Sequence, residues 1–171
     1  MAPEPSAETT IESIPVDHAD AVARRMPWRQ PSRHLERAAA QRSDRAVYLI
    51  AWKGARPVGH SFVKWPGDLS SRRAQLERCV EVEDLFVVAD ERGRGIGAAL
   101  LEASETAARA QGFSAIGLAV ALENAVARRL YAARGYRDAG HGVFALSWTS
   151  LDERGVERRT TEKCIYLVKA L

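Results

Sequence analysis

Cysteine is almost missing from this chain. Its 171 residues hold two, Cys79 and Cys164, far apart in sequence. Two isolated cysteines do not make a disulfide framework and read as free thiols in a reducing compartment. Long apolar runs are missing too: the longest, Ala46 to Trp52, falls far short of a bilayer span, so no membrane partner is expected. The polar, acidic start from Met1 to Glu8 has the pattern of neither a signal nor a transit peptide, and a cytoplasmic location is expected. No internal repeat or low-complexity tract is present. Gly-x-Ser-x-Gly is absent, which leaves a hydrolase elbow without support. His18, His34, His60 and His141 show no metal-ligand spacing, so each reads as structural and no metal is expected. No basic run is interleaved with aromatics, so nucleic acid is not expected either.

What is present suits one globular domain. Apolar residues make up 46% and charged residues 27%, with a net charge of +3. At this length roughly 70% of the unfolded surface can be buried. The mild positive charge favours solubility and an anionic ligand. Arg24, Arg25, Arg29, Arg33, Arg37, Arg42 and Arg45 crowd one early segment and read as solvated surface.

Residues 1–8 read as a flexible tail and 9–171 as the domain. Thr9 to Val16 is expected to form a first strand, with Asp17 capping a helix from Ala19 to Met26. Ser32 is expected to cap a second helix, Arg33 to Arg42. Ala46 to Lys53 and Pro57 to Trp65 read as a hairpin, and Pro66 to Arg78 as a polar loop. Cys79 to Val88 is strongly β. An Ala-rich helix, Ile96 to Gln111, is stopped by Gly112, and small residues along it let it lie close on a sheet. Ser114 to Val120 is a strand, Asn124 caps a helix running to Arg134, and Gly135 ends it. Tyr136 to Trp148 and Glu162 to Ala170 alternate like strands, with a charged loop from Thr149 to Thr161 between them. The order predicts one α/β domain with a mixed sheet.

The most informative stretch runs from Val80 to Gly97, where a strand feeds three glycines and a helix starts among them. Glycines expose consecutive N–H groups, and the new helix adds its positive dipole end, so the turn can cradle an anion such as phosphate. Arg92 and Arg94 can add charge-assisted bonds. No lysine follows the glycines, so a Walker loop fails. Gly93-x-Gly95-x-x-Ala98 fits a relaxed dinucleotide fingerprint. Against that, Ala89 to Arg92 separate strand from glycine, and Glu81, Glu83 and Asp84 sit in a strand that should be apolar.

Arg92-x-x-Gly95-x-Gly97 resembles the glycine signature of the GNAT superfamily of N-acetyltransferases. The resemblance continues through Leu118 to Val120, the series Asn124, Ala127, Leu130 and Tyr131, and Gly135-Tyr136. It is close over residues 79–137. The end, Tyr166 to Leu171, is similar to the last strand of many bacterial members. Ala125 departs from the proline that many relatives place after this asparagine. The resemblance implies a single-domain GNAT-like fold, a mixed sheet of about seven strands flanked by about four helices. It implies a sheet splayed between Cys79–Val88 and Ser114–Val120, where acetyl-CoA enters as co-substrate. By analogy the pantetheine arm pairs with Leu85, Phe86 and Val87. The pyrophosphate would lie on Arg92, Gly93, Arg94, Gly95, Ile96, Gly97 and Ala98, with Asn124 also touching the cofactor.

The implied reaction moves an acetyl group to the amine of a small molecule. At pH 7 an alkyl amine of pKa about 10.4 is neutral in roughly one molecule in 2,500, so reaching that form costs about 4.6 kcal/mol. A carboxylate can take the proton. Glu83 is the first candidate for that base, with Glu81 and Asp84 beside it, and Glu83 and Asp84 are also candidates to hold the substrate. Glu81 and Glu83 share a strand face, and Asp84 points away unless a bulge intervenes. Tyr131 resembles the family's tyrosine that protonates the departing thiolate. Glu83 to Val87 is also similar to the acidic strand of spermidine/spermine acetyltransferases, which makes a polyamine one candidate acceptor; subfamilies acting on antibiotics, amino acids or protein amines carry a similar segment, so an antibiotic or an amino-acid-like amine is a candidate too. Many relatives form dimers, so a homodimer is an option. Two other readings stand beside this one. One is an acyl-CoA-binding sensor without catalysis; the other is an NAD-dependent oxidoreductase based on the relaxed fingerprint.

Overall fold

A computed structural model describes residues 8–65, 79–152 and 154–171. The apolar run at Ala46 is buried on both sides, which explains why it shows no polar alternation. It forms β2 (Ala46–Lys53), paired on one edge with β1 (Thr9–Ser13) and on the other with β3 (Arg56–Lys64). Tyr48 and Ile50 face one way, against Ile14, Val22, Met26 and Ala38. Leu49 and Ala51 face the other way, against Ile96 and Leu100.

The sheet continues with β4 (Val80–Val87), β5 (Ala115–Ala121), β6 (Arg137–Asp138), β7 (Phe144–Leu151) and β8 (Glu157–Ala170). Its order is β1-β2-β3-β4-β5-β8-β6, with β7 also paired to β8. The β4–β5 pair is parallel and the other pairs are antiparallel. Helices α1 (Ala19–Ala23) and α2 (Pro31–Arg42) cover the face of Tyr48. The opposite face carries α3 (Ile96–Ala110) and α4 (Ala125–Ala133), which close a core around Val82, Leu101, Leu118, Val120, Tyr131 and Leu167. This is the mixed α/β sheet the sequence predicts, with eight strands among the described residues.

Several local expectations need correction. The first strand stops at Ser13, and Val16–His18 forms a 3-10 turn that takes Asp17 inside it, so Asp17 caps nothing. The first helix ends at Ala23, not Met26. The second starts at Pro31, because proline's fixed φ suits a first helical position; Ser32 lies inside it. Tyr136 to Trp148 is not one strand. Gly140 and Gly142, at φ 76° and 71°, separate the short β6 from β7. The charged segment Thr149 to Thr161 is not a loop but the end of the β7–β8 hairpin. Its polar side chains face solvent on both sides, so no apolar alternation announces it. The turn is set by Asp152, whose Oδ1 accepts from the N–H groups of Arg154 and Val156 at 2.9 and 3.0 Å. Cys79 and Cys164 are buried thiols that form no disulfide with each other. No helix among the described residues is long and apolar enough to cross a membrane. The predicted loop Pro66 to Arg78 lies outside the described residues.

Candidate active site

The parallel strands β4 and β5 pair only where Val80 to Val82 meet Ile116 to Leu118. Beyond that point they diverge, and β4 runs on to Val87 with β3 alone beside it among the described strands. A bulge lies where they part. The β3–β4 register steps from Val63↔Val82 to Phe62↔Asp84, so Glu83 is the extra residue. The bulge turns Asp84 onto the face of Glu81, and Glu83 sits at the bend instead of sharing Glu81's face.

The hydrogen-bond phase of this edge follows from one contact. Val88 N–H donates to Val58 O at 3.0 Å, so the pair Gly59↔Val87 is a non-hydrogen-bonded one. Alternation makes His60↔Phe86 bonded and Ser61↔Leu85 non-bonded. The N–H and C=O groups of Leu85 and Val87 therefore point into the opening, while those of Phe86 are spent on β3. Arg92 confirms the direction, since its Nε donates to Val87 O across the opening at 2.9 Å.

Past β4 the chain makes a 3-10 turn, Ala89–Glu91, and then the glycine turn. Gly93 and Gly95 have φ of 75° and 82°, the left-handed region where glycine alone is unstrained. Gly95 is the N-cap of α3 and brings no capping side chain, so the first N–H groups of α3 stay open toward the site. A Cβ on Gly97 would meet Leu130 Cδ2 at 3.6 Å, which places α4 directly across from the start of α3. Asn124 caps α4 through its Oδ1, which accepts from Ala127 N–H at 3.1 Å. Tyr131 stands in the core between the helices, 7% exposed, and burial first, then Asp84, pushes its pKa up to about 12. Its hydroxyl is thus protonated throughout the neutral range.

The acids of β4 have unequal surroundings. Glu81 is buried. Glu83 is exposed, with Lys64 Nζ at 2.8 Å and Arg33 at 3.9 Å. Asp84 receives Arg37 Nη2 at 2.8 Å, His60 Nε2 at 3.0 Å and Arg29 Nη2 at 3.3 Å from both its oxygens. Burial works to raise its pKa, but the three donors outweigh that and hold it well below the usual carboxylate range.

This network fixes its own tautomers. Trp28 Nε1 can only donate, and it lies 2.9 Å from His60 Nδ1, so that nitrogen is bare and Nε2 carries the proton toward Asp84. The 3.3 Å approach of Arg37 Nη1 to the same Nε2 is then a contact of two donors. His34 Nε2 donates to Met26 O at 2.9 Å, so its Nδ1 accepts from the Tyr48 hydroxyl at 2.6 Å. Burial lowers the pKa of both histidines, His34 to about 4. Trp28 stacks on Phe86 with centroids 5.3 Å apart. Gln30 Nε2 donates to Glu157 Oε1 at 3.2 Å, which brings the far end of the β7–β8 hairpin to the same mouth.

Of the residues singled out in sequence, Leu85, Phe86 and Val87 lie on the splayed part of β4, Arg92 to Ala98 on the glycine turn and the first turn of α3, and Asn124 at the start of α4; Glu83 sits at the bulge, Glu81 is buried where β4 still pairs with β5, and Tyr131 stands in the core. Sequence reasoning missed Arg37 and His60. Arg37 read as solvated surface among its neighbours, yet it is 5% exposed. The available signal was its spacing from His34 and Ala38, which puts it on the buried face of α2.

The model of the acetyltransferase (GNAT) family matches residues 14–136. No curated protein matches the chain. Solved structures do. Salmonella typhimurium yncA with its cofactor acetyl-CoA is 15% identical, covering 96% of this chain and 94% of that one at a TM-score of 0.69. The paia N-acetyltransferase of Thermoplasma acidophilum in complex with coenzyme A is 12% identical, at 96% and 99% coverage and 0.68. The ribosomal-protein-alanine N-acetyltransferase of Brucella melitensis is 16% identical, at 95% and 99% coverage and 0.68. These similarities concern the fold, while the family match spans most of the sequence and includes β4, the glycine turn and α4. The chain belongs to the GNAT family of acetyltransferases.

Proposed function

We propose that this protein moves an acetyl group from acetyl-CoA directly to the primary amine of a small molecule. The observation that carries the reading is the unpaired edge of β4 leading to the open N-terminus of α3. Leu85 and Val87 offer peptide groups for the pantetheine amides. The N–H groups from Arg92 to Ala98 offer a cradle for the pyrophosphate. YncA and the Thermoplasma enzyme, which hold acetyl-CoA and coenzyme A on this fold, support the same donor.

In the reaction the amine nitrogen attacks the thioester carbon and the carbon–sulfur bond breaks. Glu83 at the bulge takes the amine proton, directly or through a water, with Glu81 as the second candidate. Tyr131 delivers a proton to the departing sulfur. Asp84, held by three donors, is a poor base and serves to position the wall of the mouth.

Thermal unfolding with saturating acetyl-CoA, coenzyme A or NAD tests the donor. A ligand present at 100 times its Kd and bound only by the folded state stabilises by about 2.7 kcal/mol. The expected result is a higher Tm with both CoA species and none with NAD. A shift with NAD alone, or no shift at all, would overturn the reading.

A further inference from the structure

We propose that the acceptor carries an anionic group, a carboxylate beside its amine, and that Arg29 receives it. This rests on the acetyl-transfer reading and narrows its acceptor. The acids of β4, seen only in sequence, suggest a polycation. The structure sets two of those acids, Glu83 and Asp84, against cations of the chain. Glu83 has Lys64, and Arg33 has Glu36 at 3.2 Å. Asp84 alone faces two guanidinium groups, Arg37 and Arg29, and its third partner, His60, is neutral because its Nδ1 accepts from Trp28. Within the trio of Asp84, Arg37 and Arg29, one carboxylate against two arginines leaves one positive charge over.

Arg29 is the arginine that can use it. Arg37 is sealed in at 5% side-chain exposure and makes the short bond to Asp84, whereas Arg29 is 18% exposed and sits at 3.3 Å. Its guanidinium is held in place by the Trp28 carbonyl at 3.0 Å and by the Phe86 ring, whose centroid is 5.7 Å from Cζ. Among the described residues its Nε has no hydrogen-bond partner. A fixed guanidinium with an open N–H suits a carboxylate. An α-amino acid seated on it carries its amine on the adjacent carbon, beside the β4 bulge. The Trp28–Phe86 stack gives its side chain an apolar wall. A polyamine would instead set an ammonium against the same guanidinium and would have to displace it from Asp84.

Thiol release from acetyl-CoA is to be followed with a panel of common α-amino acids, their amides and spermidine. We expect the best acid to exceed its amide and spermidine at least tenfold in kcat/KM. Arg29→Gln should raise the KM of that acid about tenfold or more and erase its advantage over the amide, and Arg29→Lys should restore part of the preference. A preference for amide or spermidine, or one that survives in Arg29→Gln, overturns the proposal. Calorimetric titration of acid and amide into the CoA-saturated protein reads the same discrimination without turnover. Tighter binding of the acid, lost in Arg29→Gln, supports it; equal binding, or binding of neither, overturns it. Loss of this preference in a protein that still binds acetyl-CoA leaves the acetyl-transfer reading standing. Failure to bind acetyl-CoA overturns both.

Discussion

Tyr131 and Glu83, the acid and base of the proposed reaction, lie in unlike environments. Tyr131 is buried among apolar neighbours, and its pKa, pushed up to about 12, keeps its hydroxyl protonated through the neutral range. Tyr131→Phe is expected to lower kcat by about 10²-fold with little change in the Kd of acetyl-CoA. An unchanged kcat would remove this hydroxyl from the mechanism. Glu83 is exposed on β4, within reach of water, and paired with Lys64. Glu83→Gln should cost most at low pH, where fewer amine molecules are neutral, and a pH-independent loss of rate would assign Glu83 to positioning instead. These residue types were legible in sequence because the glycine turn and Asn124 frame them. The partners of the β4 acids were not, since Lys64, Arg37 and His60 come from other elements and carry no local mark of their role.

The glycine turn and the bulge are properties of elements. Gly95 holds φ 82° at the start of α3, and any side chain there is strained by about 1–2 kcal/mol. Gly95→Ala should lower stability by about that amount and raise the Kd of acetyl-CoA, both measured on one preparation; unchanged affinity would show that the cradle tolerates a Cβ. Gly117 is a different case. A Cβ there would lie 2.5 Å from the Tyr166 hydroxyl, which crosses β5 to reach Cys79 Sγ at 3.6 Å. Gly117→Ala is expected to cost about 1–3 kcal/mol in urea unfolding, and a neutral result would mean that Tyr166 moves aside easily. Helices α3 and α4 were readable from the glycines that end them and the asparagine that caps α4. The β7–β8 hairpin was not, because both its faces are wet at the far end and pairing alone makes it a strand.

Two buried neutral histidines tie the whole molecule's stability to pH. A histidine lowered from 6.5 to about 4 on folding contributes fully above pH 6.5, and its contribution is lost as pH falls from there toward 4. For His34 the full loss is up to about 3 kcal/mol, and His60 acts in the same direction. Asp84 adds its loss only further into acid, since its pKa is depressed. Urea midpoints should therefore fall steeply across that interval, and less so in His34→Gln; a flat profile would contradict the buried neutral histidines. The mixed α/β class, the glycine cradle and the strand carrying three acids follow from local pattern, because turn chemistry and apolar spacing are encoded within a few residues. The splay of β4 from β5, the bulge that swings Asp84 onto the face of Glu81, and the arginines and histidine that occupy that carboxylate depend on register and contact between distant segments. A shift of one residue in strand pairing reverses every side chain, so those features exist only once the sheet has closed.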